Sequence, residues 1–300
     1  MRDYITYVKT EYQADLKYCE QFIFSFGSNY SLGVRLFNKR VREATIFFYA
    51  FVRYADELVD NPEKKMVGQT HTGLDEFIIE WKKVVASGNT LDAHPILRST
   101  YFLFSKYDIP FKYTFDFLDA MDQDLAVSRY KNYAELENYM WGSASIVGHA
   151  MTYIVGYTDE VAFEHAKALG EAMQLANFLR DVDEDYQERD RVYLPQKDML
   201  SFGVNEGMIA GQKMTPELRS LTEHYTDRAE ELFTKGIKGI KYLKNGRFSI
   251  LLASRMYREN IRILKKRNYN IFGTNIRLSK SKKMQMVLST CVLYGLRGLK

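Results

Sequence analysis

Thr45-Ile46-Phe47-Phe48-Tyr49-Ala50-Phe51-Val52-Arg53-Tyr54-Ala55-Asp56-Glu57-Leu58-Val59-Asp60 is the stretch on which the reading of this 300-residue chain turns. It contains no glycine or proline, and most of it is too apolar to face water. Its polar residues Tyr49, Arg53, Asp56 and Asp60 follow a 4-3-4 spacing, which at about 100° of rotation per residue puts them on one face of a helix. A wet, charged stripe on an otherwise greasy helix points inward or into a cavity.

A second segment repeats the logic. Gln174, Asn177, Asp181 and Asp185 follow a 3-4-4 spacing, and Arg180 adds a cation one position away. A single i,i+4 charged pair is ordinarily a solvated face whose ion pairs contribute a few tenths of a kcal/mol. Like carboxylates one turn apart repel, however, so two independent repeats favour a shared cleft over surface decoration. An EF-hand at Asp181-Val182-Asp183-Glu184-Asp185 is excluded because Tyr186 stands where the loop needs its sixth-position glycine. Two opposed pairs suit a hard divalent cation: Mg²⁺ prefers oxygen donors and is usually shared between one or two carboxylates and a substrate's phosphates.

Composition agrees with an all-α protein. Hydrophobic residues make up 46% and aromatics 14%, with only five prolines and few alternating β-branched runs, so a sheet protein is disfavoured. Helices are expected at about 4–25, 39–60, 70–87, 92–106, 110–127, 132–155, 159–187, 215–244, 247–267 and 280–297, with an interruption near Gly236 and Gly239. No linker divides the chain, and residues 1–300 read as a single helical domain. Cys19 and Cys291 are too few for a disulfide framework or a zinc site and read as reduced structural residues.

The N-terminus lacks a signal peptide's pattern, since Asp3, Glu11 and Asp15 interrupt its apolar runs. No segment has the roughly 20 apolar residues of a spanning helix. The expected location is cytoplasmic, with peripheral membrane contact as an option. The net charge of +4 gathers toward the C-terminus in Lys265-Lys266-Arg267 and Lys280-Ser281-Lys282-Lys283, a pattern that favours anionic surfaces. No motif accompanies it that would indicate nucleic acid. The tail from Met284 to Leu299 has an apolar side, read as docking on the core in preference to touching a membrane.

The strings Tyr49–Asp60 and Ala172–Asp185, the latter followed by Arg191-Val192-Tyr193-Leu194-Pro195, closely resemble the two aspartate-rich signatures of the phytoene/squalene synthases. The resemblance runs from about Tyr18 to Lys283. It implies an isoprenoid-synthase-type helical bundle around a central cavity, joining two prenyl diphosphates head to head through a cyclopropyl diphosphate intermediate. It also implies Mg²⁺ (or Mn²⁺) held by Asp56, Asp60, Asn177, Asp181 and Asp185. Tyr49, Arg53, Gln174 and Arg180 match positions that contact the diphosphates or line the site, and Arg191 and Tyr257 match further diphosphate-side positions.

Asp124, Arg129 and Tyr130 match a segment on the cleft-facing central helices. Tyr139 opens the next family helix, whose small residues leave room for prenyl tails. Departures occur at Gly27-Ser28-Asn29-Tyr30, where the family commonly has two serines and either Ser28 or Asn29 would meet a diphosphate. They recur at Ser143-Ala144-Ser145, which replaces a less polar small run, and at Thr274 and Asn275, where arginines are common. The favoured reading is a phytoene-type synthase using two geranylgeranyl diphosphates in carotenoid biosynthesis, without NADPH. The runner-up is the farnesyl-using squalene, hydroxysqualene or dehydrosqualene reaction, with NADPH required for squalene. A non-catalytic assembly factor of the same shape is a third possibility, disfavoured because Asp56, Asp60, Asp181 and Asp185 are all present. Oligomeric state and the proton acceptor stay open.

Overall fold

The computed structural model describes residues 11–26, 30–61, 66, 68–273 and 278–296. Its elements are α1 (Tyr12–Ser25), α2 (Tyr30–Arg35), α3 (Lys39–Asp60), α4 (Leu74–Ser87), α5 (Pro95–Lys106), α6 (Lys112–Ala126), α7 (Tyr133–Met140), a π-helical turn (Trp141–Ser145), α8 (Ile146–Val155), α9 (Val161–Arg189), α10 (Gln196–Ser201), α11 (Glu206–Ala210), α12 (Pro216–Lys238), a 3₁₀ turn (Gly239–Tyr242), α13 (Arg247–Lys266) and α14 (Lys280–Leu296). Among the described residues there is no strand, only two isolated bridges. The protein is an all-α bundle.

Two helices organise it. α3 begins at Asn38, whose side chain accepts from the Val41 amide at 3.0 Å, the usual way a helix satisfies its first free N–H groups. It ends before Pro62 in sequence, where the residue preceding a proline leaves the helical region, and Asn61 has φ −135°. α1, α5, α6 and α8 pack around α3 and bury Phe47, Phe51, Tyr54 and Leu58. α9, 29 residues long, packs against the π turn, α8, α12 and α13. α9 stops where Asp190 takes a left-handed conformation (φ 50°) and its N–H returns to Tyr186.

After that stop the chain runs back along the end of α6. The Val192 amide donates to the Ser128 carbonyl at 2.9 Å and Gln196 to Tyr130 at 2.9 Å, which fixes Arg191 and Tyr193 over Asp124.

The helices around α9 approach closely. A Cβ on Gly170 would lie 2.6 Å from the Ala144 carbonyl oxygen, and one on Gly148 2.6 Å from that of Ala166. Backbone cannot move aside as a side-chain tip can. Gly170→Ala is therefore expected to lose more from overpacking than the roughly 1 kcal/mol it gains in helix propensity. A net destabilisation on the order of 1–3 kcal/mol should appear in urea unfolding, and an unchanged midpoint would mean the helices are not in contact there.

The expected interruption near Gly236 and Gly239 is the change from α12 to the 3₁₀ turn. The helix expected over 132–155 contains the π turn, and α2, α10 and α11 were not expected; helices of five or six residues are too short to show periodicity. Cys19 is buried, and burial pushes its thiol up to about 12. Cys291 is free and exposed, so its side chain does not have the buried structural place expected of it. α14 does dock on α13, through Met286 and Thr290, but not with its whole apolar surface.

Candidate active site

The two carboxylate faces oppose each other. One guanidinium spans them: Arg189 lies 3.6 Å from Asp60 at the end of α3 and 3.4 Å from Asp185 on α9. Arg191 reaches Asp60 at 3.3 Å and donates to the Asp124 carbonyl at 2.8 Å. Arg53 pairs with Asp56 at 2.7 Å and with Glu57, while its guanidinium carbon lies 4.8 Å from the Phe26 ring centre. Arg180 folds back on Asp181, with Nε donating at 2.7 Å.

Burial and like charge make Asp56, Asp124 and Asp185 reluctant to ionise. Asp185, 14% exposed, is pushed from an ordinary value near 4 up to about 7, first by burial and then by Asp181, with Arg189 partly offsetting the rise. Asp56 is raised by its surroundings and by Asp60, although a third of its side chain (34%) stays open to the cleft. Asp124 is raised to about 6 by burial, against the pull of Arg191.

Asp124 is held by two phenols. Tyr139 donates to it at 2.8 Å and Tyr193 at 3.3 Å. Tyr193 in turn stacks on Phe178 of α9 with ring centres 4.0 Å apart. Tyr139 is thus a buried support behind a cleft carboxylate and is not among the cavity-lining residues.

From this charged rim a cavity of about 310 Å³ runs into the bundle. Tyr49, Gln174, Asn177, Arg180 and Tyr257 line its polar mouth, and Val147, Met151, Leu169, Met173, Leu243 and Ile250 its apolar walls. The α9 contribution extends from Ala162 to Arg180, which at 1.5 Å per residue is about 27 Å. Ser143 and Ala144 line it, whereas Ser145 turns away to donate to Glu171 at 3.3 Å.

Most of the residues singled out in the sequence therefore meet at one cleft: Tyr49, Arg53, Asp56, Asp60, Gln174, Asn177, Arg180, Asp181, Asp185, Arg191 and Tyr257. Ser28, Asn29, Thr274 and Asn275 lie outside the described residues. Arg129 does not face the cleft; it donates to Glu206 at 2.7 Å and to Asp190 at 2.8 Å, clamping the end of α9. Arg189 went unread in the sequence, although its i,i+4 relation to Asp185 was a usable signal.

Among the described residues no three acidic, histidine or cysteine side chains converge as a ready-made metal cage. The donors present nonetheless fit Mg²⁺. The buried Oδ1 of Asn177 has no hydrogen-bond partner, and the surplus of buried carboxylate oxygen is the hard-donor set this ion takes.

Residues 25–283 match the squalene/phytoene synthase family. The chain is 33% identical over 258 residues to the phytoene synthase of Thermus thermophilus, covering 84% of this chain and 83% of that protein. It is 32% identical over 278 residues to a chloroplastic phytoene synthase of an Oncidium hybrid cultivar, covering 90% of this chain and 66% of that one. The chain thus spans just under two thirds of the length of such plant relatives. A solved dehydrosqualene synthase with bound ligand superposes with a TM-score of 0.84 at 28% identity, covering 95% of this chain and 98% of that one. The chain belongs to the squalene/phytoene synthase family. None of its described helices is long and apolar enough to cross a membrane.

Proposed function

We propose that this protein is a Mg²⁺-dependent prenyltransferase that joins two geranylgeranyl diphosphates head to head, through a cyclopropyl diphosphate, to phytoene. The observation that carries the reading is the pair of aspartate faces opposed at the mouth of one apolar cavity. Asp56, Asp60, Asn177, Asp181 and Asp185 would hold the metal, with Mn²⁺ an acceptable substitute. When bound, the ion supplies positive charge to a departing diphosphate.

The chain's own groups do the rest. Arg53, Arg180 and Arg191, already paired with the carboxylates, are placed to exchange those partners for diphosphate oxygens, an exchange that favours the leaving anion in the transition state. Tyr49, Gln174 and Tyr257 offer hydrogen bonds at the same mouth. The apolar walls beyond keep water from an allylic cation and hold the prenyl tails in line.

The farnesyl reaction is the second reading, favoured by the similarity to a dehydrosqualene synthase. Purified protein incubated with Mg²⁺ and geranylgeranyl or farnesyl diphosphate, with and without NADPH, separates them by product. Phytoene that does not depend on NADPH is the expected result. A farnesyl-derived hydrocarbon transfers the assignment to the second reading, and no product from either substrate would sink both in favour of a non-catalytic assembly role.

A further inference from the structure

α14 is a rim helix with two faces. Its inner face packs Met286 with Leu252, Met256 and Leu278 in a small cluster separate from the main core. Arg255 of α13 donates to Thr290 and, at 3.1 Å, to Ser289. Its outer face is also apolar: Met284, Leu288 and Val292 are 59%, 62% and 62% exposed. Their i, i+4, i+8 spacing makes a stripe more than two turns long, with exposed Cys291 beside it. No charged residue falls between Met284 and Leu296.

The surroundings of the stripe are basic. Lys280, Lys282 and Lys283 stand at its N-terminal end; Glu259, the one acidic residue in α13 and α14 together, pairs with Lys282 at 2.9 Å and Arg262 at 3.4 Å, and Glu230 of α12 pairs with Arg258, so cations outnumber the acids they meet. Beside it, a groove of about 330 Å³ between α12, α13 and α14 has Ile237, Leu251 and Leu293 in its walls together with Lys238, Arg258 and Arg262.

We infer that the outer face of α14 docks on an anionic lipid surface, with Met284, Leu288 and Val292 entering the headgroup boundary and the surrounding cations meeting lipid phosphates. Apolar area and charge attraction together are the two signals that reversible membrane binding needs, where either alone is marginal. A second copy of this chain is a poorer occupant. Two such faces would bring cations against cations, and one stripe falls well short of the roughly 800 Å² per partner that a stable interface buries. The inference stands apart from the prenyltransferase reading, because the patch is defined without substrate, metal or cleft residues.

Flotation of the full chain with vesicles tests it. Wild type should float with phosphatidylcholine vesicles containing phosphatidylglycerol, at least about tenfold better than with phosphatidylcholine alone, and added salt should weaken the binding. Leu288→Glu combined with Val292→Glu should lower binding about tenfold while leaving helicity and thermal unfolding unchanged, since both side chains already face solvent. Met284→Gln, a milder change, should give a smaller loss in the same direction. Failure of wild type to float with the anionic vesicles would overturn the inference, as would equal flotation of the double variant. A concentration-dependent dimer that the double variant dissolves, without vesicle binding, would assign the face to a second copy instead.

Discussion

Asp185→Asn should unfold at a higher temperature than the unaltered protein in metal-free buffer at pH 8, while its turnover of prenyl diphosphate falls roughly a hundred- to thousandfold. The two effects share one cause. The Asp185 carboxylate, raised to about 7, stays protonated in the folded state over a pH range where the unfolded chain has already lost the proton. Between about pH 4 and pH 7 the unfolded state therefore binds fewer protons, so stability falls as pH rises and the penalty is complete above 7. A rise of about three units corresponds to at most about 4 kcal/mol. With Asp185 still 14% exposed and Arg189 at 3.4 Å, a gain on the order of 1 kcal/mol is expected from removing the charge, or about 2–4 °C in melting temperature.

Activity is expected to move the other way, because on the proposed reading the variant loses an oxygen donor to the metal. A variant that is both less stable and fully active would dispose of the metal-cleft reading.

Mg²⁺ with inorganic pyrophosphate should raise the melting temperature by about 5 °C at pH 8, when both are present well above their dissociation constants, and much less at pH 5.5. At the lower pH Asp185 holds a proton that must leave before its oxygen can serve a cation, and Asp56, raised in the same direction, adds to the cost. At the higher pH the ionised carboxylates repel one another, and a metal bound between them would relieve that repulsion. Arg189 stands between Asp60 and Asp185 as their present counter-ion. Arg189→Gln should accordingly lower the metal-free melting temperature at pH 8 and enlarge the Mg²⁺ response. An equal response at both pH values, in wild type and variant alike, would show that the ion binds elsewhere.

The helical architecture and the two motif faces were legible because both depend on spacing. Tyr49, Arg53, Asp56 and Asp60 share a face by helix geometry alone, and α3 has the boundaries at Lys39 and Asp60 that its sequence suggests. What spacing cannot carry is the choice of partner by a long side chain. Arg129 stood in a family-like segment, yet the return of the chain after Asp190 places a carboxylate and a backbone carbonyl within its reach, and it closes on them together with Glu206. Tyr139 shows the same limit: its hydroxyl finds Asp124 across a helix pair, a tertiary contact with no local signature. Arg189, by contrast, was readable one turn beyond Asp185. The apolar outer face of α14 was visible in composition, but only the packing of Met286 and Thr290 tells which side is left open.

α9 carries two of the cleft carboxylates, Asp181 and Asp185, and one side of the cavity wall in one unbroken helix, so the charged mouth and the apolar depth are arranged along a single axis. Asp181 and Asp185 stand at one end, and Leu169, Ala166 and Ala162 line successive turns away from them. On the proposed reading, a bulkier side chain at one of these turns would set a stop at a fixed depth, in steps of about 5 Å. On that reading, a lineage built on this helix would change the length of tail it accepts by one substitution at a time, like moving the stop on a depth gauge, at a distance from Asp181 and Asp185.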